Sequence, residues 1–105
     1  MDGAERLEIS WDDGDEPTVR LSGELDAYTA PTLQEALGSA PAGTLRIGMA
    51  QVGFIDSTGI RVLVSADNDR RRDGGALVLV APSDAVRRLL QLTSLDEHLH
   101  IEEAS

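Results

Sequence analysis

The sequence predicts an α/β fold: a single domain on a mixed, mostly parallel sheet with an N-terminal hairpin and crossover helices, in the order β-β-α-β-α-β-α-β. Three observations carry this. Two neighbouring stretches near the N-terminus alternate apolar and polar residues across a Gly/Pro turn, the pattern of an antiparallel hairpin. Beyond them, apolar residues at helical spacing alternate with short strand-like runs, as in parallel strands joined by right-handed helical connections. The 105 residues suffice for one hydrophobic core and are too few for two, so one domain over residues 1–105 is expected.

Taken in order, Leu7, Ile9 and Trp11 alternate as a first strand, and residues 12–17 (DDGDEP) form a turn punctuated by Gly14 and Pro17. Val19 and Leu21 alternate as its antiparallel partner, and residues 23–28 (GELDAY) leave that strand. Thr29 suits an N-cap, Pro31 a first helical turn, where its missing N–H costs nothing. The stripe Leu33, Ala36, Leu37 and Ala40 then runs to Pro41 and Gly43. Leu45, Ile47 and Met49 alternate as a third strand that continues toward Val52 and Phe54. Ile60, Leu63 and Val64 mark a second helix, closed by residues 69–75 (DRRRDGG), with arginines at the negative end of its dipole and a glycine cap. The arginine trio reads as a solvated helix end between two aspartates. The apolar run 77–81 (LVLVA) reads as a strand covered on both faces. Pro82, Ser83 and Asp84 open a third helix with Val86, Leu89 and Leu90 on one face, and residues 98–101 (HLHI) form a short last strand.

Composition narrows the function. Nineteen acids against nine bases give a formal charge of −10, and every base is arginine. Such a surface repels nucleic acid and anionic lipid, so neither DNA, RNA nor membrane is an expected partner, and a basic patch on a protein is. No apolar run approaches the ~20 residues of a membrane span. The acidic N-terminus lacks the basic and apolar regions of a signal peptide. With no cysteine there are no disulfides or thiolate metal sites, and with no lysine there is no Schiff-base chemistry or P-loop. A cytoplasmic location is expected, with no cofactor.

The stretch 53–64 (GFIDSTGIRVLV) lies where the third strand passes into the second helix, at the end of a parallel sheet where functional loops gather. Ser57 has three readings there. As an N-cap its oxygen accepts an N–H from the first turn. As a nucleophile it lacks the glycine-bracketed elbow of hydrolases. Its potential bases are His98 and His100, whose spacing places them on one face of the last strand, without a third ligand for a metal; no catalytic or metal site is expected. As a phosphorylation site it fits the electrostatics best. A phosphate brings about −1.5 to −2 charges to a helix start, where the dipole stabilises it by roughly 0.3–2 kcal/mol. Asp56 opposes it by at most ~3 kcal/mol near the surface. Within the domain these terms offset, whereas an interface would have to desolvate a dianion. About 3 kcal/mol lost there weakens binding on the order of 100-fold.

The Phe-Ile-Asp-Ser-Thr-Gly-Ile core of that stretch resembles the signature of the STAS domain, in particular the anti-sigma factor antagonists of sporulation and general stress. Gly23-Glu24-Leu25-Asp26, followed by Thr29 and Leu33, is similar to a second block of the family, and residues 83–90 (SDAVRRLL) to its third helix. The resemblance implies a non-enzymatic antagonist that binds a serine-kinase anti-sigma factor and so frees a sigma factor. It implies phosphorylation of Ser57 by that kinase, with Thr58 as alternative acceptor, and restoration by a PP2C-type phosphatase. Partner contacts carried over are Asp26 and Thr29, on the surface near the phosphosite, with Asp56, Ser57, Thr58 and Gly59 framing it. A monomer that pairs with its kinase is the simplest expectation; a STAS accessory or scaffold subunit of a transporter or signalling assembly is the alternative. Two departures stand out. Arg61, counted with the partner contacts, replaces a glycine common in relatives one turn into the helix, where three readings stay open: a pair with the phosphate, a contact to an acid of the partner, or solvent. The chain also ends at Ser105, where relatives often continue into a helix.

Overall fold

The computed structural model describes residues 6–12 and 17–103. The centre of the predicted hairpin turn, around Gly14, lies outside the described residues. The elements are β1 (Leu7–Asp12), β2 (Thr18–Leu25), α1 (Ala30–Gly38), β3 (Leu45–Ile55), α2 (Ser57–Arg72), β4 (Leu77–Val80), α3 (Asp84–Leu92) and β5 (His100–Glu102), with a 3-10 turn at Leu95–Glu97 before the last strand. The predicted order of strands and helices is the observed one. β1 and β2 pair antiparallel, and β2, β3, β4 and β5 are parallel in the sheet order β1-β2-β3-β4-β5.

Each crossover therefore steps to the next strand in the same direction. With right-handed connections, every helix falls on the same face of the sheet. That face is the core: Val19, Leu21, Ile47, Met49, Leu77 and Leu79 from the strands join Leu33 and Leu37 of α1, Ile60 and Leu63 of α2, and Val86 and Leu90 of α3 in one apolar cluster. Each such side chain contributes roughly 1.5–3 kcal/mol by leaving water.

β4 is covered on both faces, as expected, but by helices on only one of them. The in-register row Asp12, Thr18, Arg46, Val78, His100 lies away from the helices, as does the row Ser10, Arg20, Gly48, Val80, Glu102. Val78 is buried but stands outside the core cluster, in a row flanked by Arg46 and His100. The apolar run of β4 thus has helices on one side and a polar ladder on the other. Arg20 pairs with Asp12 at 2.8 Å, and Arg46 forms a bidentate pair with Glu102 across the ladder.

Other boundaries shift for identifiable reasons. β2 continues through Gly23 and Glu24 to Leu25, because Glu24 N–H donates to the Arg6 carbonyl and Gly23, at φ +116°, lies where a Cβ would sit 2.0 Å from that oxygen. α1 ends at Gly38, so Ala40 packs from beyond the helix. β4 stops at Val80, one residue early, since Ala81 has φ 50°. β5 begins at His100, while His98 caps the 3-10 turn; the two histidines do not share a strand face.

The C-terminal end of α2 is not the solvated trio expected. Arg70 is 8% exposed, and its guanidinium donates to the carbonyls of Pro41 and Gly43. Desolvation holds its pKa below the ordinary arginine value, against a smaller opposing effect of Asp73. Asp67 is fully buried: one carboxylate oxygen accepts from Leu77 N–H at 3.0 Å and the other pairs with Arg71 Nε at 2.8 Å. Gly75 passes so near Gly43 that a Cβ would meet its backbone at 2.4 Å. These contacts bolt α2 to the starts of β3 and β4. Gly74, at φ +86°, supplies the predicted glycine cap beyond Arg72.

Candidate functional site

At the other end of the parallel strands, β2 and β3 finish side by side, Leu25 opposite Ile55. β3 reaches that point through two register shifts, which add residues relative to β2 and turn the strand end toward α2. Asp56 N–H then donates to the Leu25 carbonyl, fixing the β3–α2 junction against the end of β2.

The helix cap is Asp56. Its extended backbone and its Oδ1, which accepts from Thr58 N–H at 2.9 Å and Gly59 N–H at 3.2 Å, satisfy two otherwise orphan donors. This corrects the capping role given to Ser57. Ser57 is the first helical residue and is exposed, and its hydroxyl has no hydrogen-bond partner among the described residues. Thr58 is half-buried beside it. Gly59 is buried: a Cβ there would lie 2.7 Å from the Leu25 side chain and 2.8 Å from its carbonyl oxygen. Glycine at this position lets the first turn of α2 sit on the end of β2, so Gly59 shapes the site from beneath.

The loop after β2 forms the second wall. Asp26 Oδ1 accepts from Tyr28 and Thr29 N–H at 2.9 and 3.1 Å, closing an Asx turn. Thr29 occupies the N-cap position of α1, but its backbone is helical and its hydroxyl makes no cap. The hydroxyl donates to the Glu24 carbonyl and accepts from Asp26 N–H. Thr29 is buried, which corrects its expected place on the surface; it braces the loop that presents Asp26. Arg6 stands over the Tyr28 ring, 4.9 Å from its centroid, and lies 3.7 Å from Asp26. Arg61, one turn into α2, is exposed and lines a shallow groove with Ala27, Pro31 and Thr58.

Three residues of this end escape a reading by sequence pattern. Tyr28 is 77% exposed, at the rim of the Asp26 turn. Phe54, at the end of the expected third strand, is 48% exposed and lies opposite Glu24, beyond the second register shift. With Leu92 of α3, 75% exposed, it borders an apolar groove that includes Ile55 and Leu89. The bulges are invisible in hydrophobic periodicity; the exposed tyrosine between two turn-forming residues is the one signal available.

Among the described residues no acid–base partner is hydrogen-bonded to Ser57. His100 lies in the row of Arg46, near the opposite end of β3 from Ser57, and His98 precedes it. Among the described residues no three His, Asp or Glu side chains gather as a metal site, and no helix is long and apolar enough to cross a membrane. The arrangement offers an exposed hydroxyl at a helix start, amid aromatic and charged surface side chains.

Comparison with known proteins agrees with this geometry. The family model described as "Mlab, STAS domain" matches residues 11–102. The anti-sigma-B factor antagonist of Listeria monocytogenes is 38% identical over 99 residues, which cover 91% of this chain and 87% of that protein. The crystal structure of an anti-sigma factor antagonist from Mycobacterium paratuberculosis superposes with a TM-score of 0.80 at 31% identity, covering 91% of this chain and 85% of that one. The Bacillus cell fate determinant SpoIIAA in its phosphorylated form shares the fold, with a TM-score of 0.72 at 19% identity over 94% of this chain and 91% of that one.

Proposed function

Since the chain belongs to the STAS domain family, we propose that it is an anti-sigma factor antagonist, not an enzyme, which binds a serine-kinase anti-sigma factor in the cytoplasm and is switched off by phosphorylation of Ser57. Binding the kinase frees a sigma factor of the stress or sporulation type, and a PP2C-type phosphatase restores the active form. The free antagonist is a monomer, and its acidic surface favours a kinase with a basic patch.

One observation carries the reading: Asp56 does the capping, which leaves the Ser57 hydroxyl unengaged and exposed on the first turn of α2. A serine needed as the cap would resist modification; this one is available to a kinase. In the transfer, Ser57 Oγ attacks the γ-phosphorus of ATP, ADP leaves, and the hydroxyl proton passes to a base of the kinase. Asp26, Asp56, Thr58 and Arg61 then surround the added charge on the surface that the partner covers. Tyr28 and Phe54 add aromatic anchors of the kind that concentrate binding energy in protein interfaces.

Incubation with candidate kinase anti-sigma factors and ATP, followed by peptide mass spectrometry, tests this. One phosphate on Ser57 and loss of the complex are expected. Phosphate on Thr58 instead would move the switch by one residue, and no phosphate with a kinase that binds the chain overturns it.

A further inference from the structure

Arg61 and Arg88 alone among the described arginines make no hydrogen bond or ion pair; the others hold carboxylates or backbone carbonyls. For Arg61 the cause is local. Its helical neighbours three and four positions away are Ser57, Thr58, Val64 and Ser65, and the groove beside it is lined by Ala27, Ala30, Pro31 and Gln34, none of them acidic. Asp56, one residue beyond reach of that spacing, has its Oδ1 engaged by two amides of the cap.

We propose that Arg61 is the intramolecular receptor for a phosphate on Ser57. The proposal rests on the reading of Ser57 as the modified residue and adds what happens to the phosphate afterwards. Ser57 and Arg61 are four residues apart in an unbroken helix, about 6 Å along its axis and on one face. An anion four positions N-terminal to a cation is the favoured orientation for such a pair. A phosphate presents several acceptor oxygens to the guanidinium fork, so the bond is stronger than an exposed carboxylate would make. Modification then has two effects on a partner at once. It places a dianion in the contact surface, and it withdraws the one cation that the first turns of α2 offer. Arg61 serves the complex before phosphorylation and the phosphate after it.

The test is phosphorus NMR titration of the full chain with phosphoserine installed at position 57 during translation. The second ionisation of the phosphate in the otherwise wild-type chain should lie about 0.3 unit below that in Arg61→Gln. Arg61→Lys should keep part of the shift, 1 M salt should abolish it, and Arg88→Gln, which removes the other unpaired arginine, should leave it intact. Coincident titrations of the parent and Arg61→Gln overturn the proposal, as does an equal change in Arg88→Gln, which would make the effect a diffuse field. Because no kinase is used, a failed kinase assay and a flat titration are separate results: the first removes the switch, the second removes only the receptor.

Discussion

The two ends of α2 treat polar side chains in opposite ways. At the C-terminal end, Asp67, Arg70 and Arg71 are committed to Leu77 N–H, to the carbonyls of Pro41 and Gly43, and to each other across one helical turn. At the N-terminal end, Asp56 alone is committed, while Ser57 and Arg61 are exposed and have no partner among the described residues. The first set is spent on the fold and its loss should be felt as stability. The second is left over from folding, and its loss should be felt as binding. The two sets lie on one helix, and Gly59, between Ser57 and Arg61, seats its first turn against the end of β2.

Substitutions at either end sharpen or break this contrast. The largest effect is expected of Ser57→Asp, which should weaken binding to the kinase on the order of 100-fold, about 3 kcal/mol, while thermal melting stays within a degree or two of wild type. Calorimetric titration beside a melting curve reads both, and a parallel fall in the two would erase the division. Asp67→Ala should do the reverse. It strands Leu77 N–H and frees half-exposed Arg71, costing about 2 kcal/mol of stability in urea titrations, with unchanged affinity in the folded protein. Asp56→Ala removes the cap and should cost about 1 kcal/mol, whereas Ser57→Ala, which removes no hydrogen bond, should cost only a few tenths and still bind. Equal losses for these two would return the cap to Ser57.

The smallest effect is on pH dependence, away from α2. Hydrogen bonds from Arg46 hold the Glu102 carboxyl below the usual carboxylate range. A depressed folded pKa contributes stability that is complete above the unfolded value and lost as pH falls through the folded one. Melting temperatures of wild type and Glu102→Gln should therefore differ at neutral pH and converge as the solution is acidified below the usual carboxylate range.

Much of the fold was legible because it depends on period. Leu7, Val19, Leu21, Ile47 and Leu79 alternate, and Leu33, Leu37, Ile60 and Leu63 recur at helical spacing; all are buried in the core cluster. The site was legible as a motif, less so as a geometry. The stretch around Ser57 marked the junction, yet the cap belongs to Asp56, Thr29 is an internal brace, and Gly59 is a spacer. Which of two adjacent polar residues faces the helix amides depends on the backbone angles at the junction, and residue type alone favours both. Val52 is buried out of phase with Leu45, Ile47 and Met49 because the first register shift reverses the side of the residues after it, and the second returns Phe54 to the outer face. Arg70 was read from composition as solvent-facing, but the chain folds back at Pro41 and Gly43 to meet it.

The strand order has a last consequence. In doubly wound sheets, small ligands lodge in the crevice that opens where consecutive crossovers diverge to opposite faces. Here the strands run β1 to β5 in sequence, and the crossovers never diverge. The helix starts and loops at the C-terminal edge of the parallel strands consequently stand along one side of the sheet. Under the proposed switch that side is a platform for another protein, and the charge of one exposed side chain on it decides whether the visitor stays.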